Sequence, residues 1–116
     1  MTKLQTIKIF GKPFAVRFLP DNFDAATMGL CEPFKNTITI LDVQPPAEEL
    51  DTVLHEVLHA IAHVMSIPFA AQEQEEQVVR MMGTGITGVL LENPDLVAYI
   101  NDICQKVNAN ASAKKK

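Results

Sequence analysis

Apolar and polar positions alternate along the first twenty residues. Ile7 and Ile9 interleave with Thr6 and Lys8, and Phe14, Val16 and Phe18 interleave with Ala15 and Arg17. A period of two places one set of side chains on one face of a strand. Gly11-Lys12-Pro13 lies between the two runs as a turn signal, so the pattern predicts a hairpin of Thr6–Phe10 with Phe14–Leu19. Pro20-Asp21-Asn22 breaks it, and Asp24 to Met28 has room for about one helical turn before Gly29. A third β segment, Asn36–Asp42, is rich in β-branched residues and stops at Pro45-Pro46. Leu30-Cys31-Glu32 is its expected hairpin partner across Pro33-Phe34-Lys35.

From Pro46 the period changes to that of a helix. Pro46 suits a first helical turn, and Glu48, Glu49 and Asp51 sit where the helix dipole favours carboxylates. The run from Leu50 to Met65 is apolar on most of its circumference, which predicts a central helix rather than a surface one. Ser66-Ile67-Pro68 ends it. A second helix is expected from about Gln72 to Leu91, with an apolar stripe of Val79, Met82, Ile86 and Val89 or Leu90. A third runs from Pro94 to about Val107, with Asn93 as its cap. Residues 1–108 thus form a single domain, and 109–116 are expected to be a flexible, lysine-ended tail.

Composition narrows the function. Hydrophobic residues make up 47% of the 116 residues and charged ones 21%, enough to fold one domain. Three of the ten cations are Lys114, Lys115 and Lys116, which leaves the body seven against 14 anions. That balance argues against a nucleic-acid partner and disfavours a DNA-binding regulator. No apolar run approaches the roughly 20 residues of a membrane span, and the first residues carry no signal-peptide pattern. Cys31 and Cys104 are expected to be reduced, and the domain to be soluble, intracellular and without a membrane partner.

The chemistry lies in His55-Glu56-Val57-Leu58-His59. Residues four apart on a helix leave one face, separated by a rise of ~6 Å, so both imidazoles can converge on one metal ion. Glu56, one step on, reaches a water on that metal, the place of a general base. Chance produces such a window in roughly half a percent of chains of this composition. Its apolar flanks reinforce the reading, because buried imidazoles and carboxylate need a compensating cation. A catalytic zinc site takes three protein ligands. His63 lies ~12 Å along the helix from His55, too far to join the same ion, and is expected as a cleft wall or oxyanion partner. Ala62 and Met65 occupy the Gly and His positions of the longer H-E-x-x-H-x-x-G-x-x-H pattern. The third ligand is expected in Glu73-Gln74-Glu75-Glu76-Gln77. Against the predicted stripe, Glu75 projects within ~25° and Glu76 within ~75°, so Glu75 is favoured and Glu76 is its rival. Glu73 and Glu92 come next.

Thr52 to Ile61, preceded by Thr37-Ile38-Thr39-Ile40 and followed by a glutamate helix, resembles the small gluzincin metallopeptidases. It is most similar to the short zincin-like proteins of bacteriophages and prophages, whose acidic pair and later turn match Glu75-Glu76-Gln77-Val78 and Glu92-Asn93-Pro94-Asp95-Leu96. The resemblance covers roughly residues 28 to 100. It implies an α+β zincin-like domain, with an N-terminal antiparallel sheet of three or four strands, an H-E-x-x-H helix, a glutamate helix and a C-terminal helix. It also implies one zinc ion per chain on His55, His59 and Glu75 or Glu76, with Glu56 catalytic. The setting would be the bacterial cytoplasm or a phage particle. In related gluzincins a small residue and then Asn or Asp often follow the ligand glutamate and orient a histidine. Here Val78 and Val79, or Val79 and Arg80, stand there, so that support must come from elsewhere.

The expected function is therefore zinc-dependent peptide hydrolysis, with zinc-activated water and Glu56 as base. A peptide or protein substrate is expected to pair along the Asn36–Asp42 strand, at Thr37, Ile38 and Thr39. Tyr99 and His63 are the candidates to face the oxyanion. The alternative is a non-catalytic phage structural or host-interaction protein, in which zinc staples a small fold and the partner is a phage or host protein.

Overall fold

The structure, a computed structural model, describes residues 3–20 and 28–114. It is an α+β domain in which a four-stranded sheet precedes three helices. The strands are β1 (Thr6–Ile9), β2 (Lys12–Leu19), β3 (Gly29–Glu32) and β4 (Thr37–Leu41). The helices are α1 (Pro46–Val64), α2 (Gln72–Glu92) and α3 (Pro94–Lys114).

The hairpin forms one step earlier than its turn signal suggests. Phe10 and Gly11 both take positive φ, 49° and 83°, as a two-residue type I′ turn requires, and Lys12 and Pro13 already belong to β2. Pro13 is tolerated for a local reason. The Ala15 N–H donates to the Asn36 carbonyl at 2.9 Å, so the nitrogen of Pro13, two residues earlier, lies on the same side but before β4 begins. No ladder bond is lost.

The strand order is β1-β2-β4-β3. β3 pairs antiparallel with β4 across a 3-10 turn at Pro33–Lys35, as expected. The expectation of an antiparallel sheet is corrected at its centre, where β2 and β4 run parallel from Ala15↔Thr37 to Leu19↔Leu41. Alternation assigns each strand a face but not a neighbour, and the chain visits the edge as β3 before returning to the middle as β4. The expected turn at 24–28 lies outside the described residues except for Met28.

One face of the sheet supplies Ile9, Phe14, Val16, Ile38 and Ile40, which pack with Ala60 of α1. Val53, Val57, Ile61 and Val64 extend that contact along the helix, so α1 is central as predicted. α2 ends one residue beyond expectation. α3 runs on to Lys114, past the expected end near Val107. Asn93 does not cap α3 through its side chain. Its amide donates to the Val89 carbonyl at 2.8 Å and closes α2, while its own carbonyl accepts from Leu96 and Val97.

Candidate metal centre

α1 presents His55 and His59 on the face turned away from the sheet, toward α2. The two rings meet edge to face, 4.9 Å between centroids. α2 crosses that face closely because it is built of small residues there. Its buried positions are Val79, Gly83 and Thr87, and a Cβ at Gly83 would lie 3.5 Å from the backbone of His55. The predicted stripe is therefore corrected: Met82 and Val89 are 54% and 50% exposed. A stripe read from large apolar residues overlooks glycine and threonine, which are what permits close helix approach.

That rotation decides which carboxylate meets both histidines. At ~100° per residue, Glu76 lies ~20° from the middle of the Val79–Gly83–Thr87 line and Glu75 ~80° from it. Glu76 accordingly reaches both histidines. Its Oε1 is 2.9 Å from His55 Nε2 and its Oε2 is 2.9 Å from His59 Nε2. His55, His59 and Glu76 offer donor atoms within 4.8 Å of one another, a cluster that could hold a metal ion. The favoured Glu75 takes a different position, with Oε2 2.8 Å from His59 Nδ1. The contact puts a carboxylate behind a histidine ring, which neither Val79 nor Arg80 can do. A carboxylate on the outer nitrogen fixes ring orientation and raises the basicity of the inner one. Glu73 is exposed on the first turn of α2 and Glu92 ends that helix; neither joins the cluster.

Glu56 is 7% exposed, wedged between α1 and β3. Burial pushes its carboxyl up to about 7, the neighbouring Glu76 adds to this, and His59 and the Cys31 N–H, which donates to it, oppose it. Gly29 makes the wedge feasible. A Cβ there would stand 2.6 Å from Thr52 Cγ2 and 3.2 Å from the Glu56 carboxylate. The thiol of Cys31 is likewise pushed up to about 12, chiefly by burial and then by Glu56, Glu75 and Glu32. It is protonated and inert beside this acidic cluster.

These groups line a cleft of about 600 Å³. Gly29, Leu30, Cys31 and Pro33 line it from the β3 side, and His63, Ile67 and Phe69 line it from α1 and the loop that follows. His63 lines the cleft, its ring edge-on to Phe34 at 5.1 Å. Tyr99 stands on α3, is 63% exposed and does not line the cleft. The expected docking strand is also corrected. Thr37, Ile38 and Thr39 belong to β4, which is hydrogen-bonded on both sides, so its backbone has no free edge. The strand beside the cleft is β3, whose four residues are too few for alternation to single out.

The donor chemistry of the cluster suits a borderline metal ion: two imidazole nitrogens, one carboxylate, and a carboxylate behind a ring. No described helix is long and apolar enough to cross a membrane. Comparison with known protein families, curated proteins and solved structures finds no match to this chain.

Proposed function

We propose that this chain is a zinc-dependent metallopeptidase of the small gluzincin type, with His55, His59 and Glu76 as ligands and Glu56 as general base. The observation that carries the reading is the meeting of both Nε2 atoms with the Glu76 carboxylate, next to a buried glutamate that belongs to the same helical turn. A purely structural cluster would have no use for that additional, desolvated carboxylate.

When bound, zinc supplies Lewis acidity and lowers the pKa of a coordinated water to about 7. Glu56 removes the proton from the attacking water and later hands it to the departing amine. Burial makes the Glu56 carboxyl a better proton acceptor than an exposed glutamate, which favours the first of these transfers. Glu75 holds the His59 ring in line through Nδ1. An extended peptide would lie along β3, whose outer edge borders the cleft, with His63 at the end where charge develops on the carbonyl oxygen.

The test compares wild type with Glu56→Gln on a mixture of unstructured peptides, with and without chelator. Both proteins should bind one zinc per chain, and hydrolysis by the variant should fall at least ~10²-fold. Equal cleavage by both would remove Glu56 as the base. Stoichiometric zinc with no cleavage by either would leave the scaffold as a binding protein.

A further inference from the structure

α3 is a 21-residue helix, about 31 Å long. Its neighbour in the fold is the end of α2, and every described side chain from 94 to 111 is exposed. The projection enlarges the molecule. Its radius of gyration is 15.5 Å, where a compact chain of this length would have about 13 Å. A helix exposed along its length draws little stability from packing, the main source of helical stability in proteins. Yet α3 carries a seam. Leu96, Ile100, Ile103 and Val107 follow one another at intervals of four, three and four, the a/d spacing of a coiled coil.

We infer that α3 is a dimerisation helix that pairs antiparallel with α3 of a second copy of this chain. Three features select that occupant. First, antiparallel pairing sets a against d residues of the other copy, and the four seam positions then close on themselves. Leu96 meets Val107, and Ile100 meets Ile103, each pair occurring twice about a two-fold axis.

Second, the flanks match. Val97 falls beside Cys104 on one side, and Tyr99 beside Lys106 on the other, an ammonium against an aromatic ring with no like charges opposed. Third, charge is divided along the helix. Glu92 and Asp95 precede the seam's midpoint at 101–102 and Lys106 and the C-terminal lysines follow it in sequence, while Asp102 lies at the midpoint and pairs with Lys106 of its own helix at 3.1 Å. Antiparallel pairing puts each acidic half against a basic one, whereas parallel pairing would stack like on like. A single pair of helices of this length buries an area at the low end of specific interfaces, ~1,200 Å², so the dimer should be concentration-dependent. None of these features involves the metal site, so the pairing stands or falls apart from the proposed hydrolysis.

Sedimentation equilibrium of the full chain should show a reversible shift from one chain to two with rising concentration. Ile103→Glu should weaken association at least ~10-fold, because it buries a charge in the seam, while far-UV circular dichroism stays as in wild type. Val97→Cys should form, under mild oxidation, an interchain bond from the introduced thiol to Cys104 of the other copy, which peptide mass spectrometry locates. A chain monomeric at every concentration overturns the inference, as does one that instead cosediments with anionic vesicles. Dimers unaffected by Ile103→Glu, or linked through Cys104 alone, overturn it as well.

Discussion

The two helices α2 and α3 have equal lengths and both carry large apolar residues, yet they end in opposite circumstances. α2 meets α1 through Val79, Gly83 and Thr87, a line with little bulk, and through that contact brings Glu75 and Glu76 against two histidines. α3 exposes Leu96, Ile100, Ile103 and Val107, residues with far more surface to bury. Burial within the fold thus follows shape rather than apolar content. Glycine lets backbones approach, and the groups at stake on the buried side are charges whose value depends on position to within an ångström.

Substitutions on the two helices should therefore differ sharply in effect. The largest is expected at Glu76. Glu76→Ala removes the one carboxylate that touches both histidines and should lower zinc affinity by more than ~100-fold in competition titrations. Retention of wild-type affinity would place the third donor elsewhere.

Next comes pH. Without metal, the Glu56 carboxyl is raised from 4.5 to about 7 in the folded chain, so the folded state holds its proton more tightly than the unfolded one. Its contribution is full below about pH 4.5, declines as pH rises through about 7, and amounts to up to about 3 kcal/mol. Chelated wild type should lose stability relative to Glu56→Gln between about pH 5 and pH 8 in denaturant melts. A gap that stays constant across that range would contradict the burial of this carboxylate.

Glu75→Ala should cost about 10–100-fold in zinc affinity, the usual range for an outer partner of a ligand histidine, and less than Glu76→Ala. Equal losses at 75 and 76 would erase the distinction drawn from their geometry. The smallest effects compare the helices directly. Gly83→Leu overfills the contact with His55 and should destabilise the fold by about 1–3 kcal/mol. Ile100→Ala in dilute solution, where α3 is unpaired, should change stability by less than about 0.5 kcal/mol. Thermal melts of the two variants at low concentration decide the matter.

Much of this was legible in the chain because it is local. The period of Phe14, Val16 and Phe18, the stop at Pro45-Pro46 and the spacing of His55, Glu56 and His59 each concern neighbours within one element. What escaped was non-local or small. Nothing in the alternation of β2 and β4 says that they pair in parallel, so Thr37–Thr39 read as an edge when they are interior. Gly83 and Thr87 add nothing to a hydrophobic stripe, so the stripe alone does not show that Glu76 lies nearer than Glu75 to the line facing α1. The rotation of α2 sets Glu76 against both histidines and Glu75 against Nδ1 of His59.

The glycines record a further consequence. At Gly29 a single added carbon would meet Thr52 at 2.6 Å and press on the carboxylate of Glu56, whereas at Gly85 and Gly88 it would meet nothing within 4 Å. Every codon change at 29 that alters the residue adds atoms to a place with no room. Mutational drift in any lineage of this protein should thus stop at position 29 and run freely at 85 and 88. Alanine at 85 or 88, in mid-helix, should even gain about 0.5–1 kcal/mol.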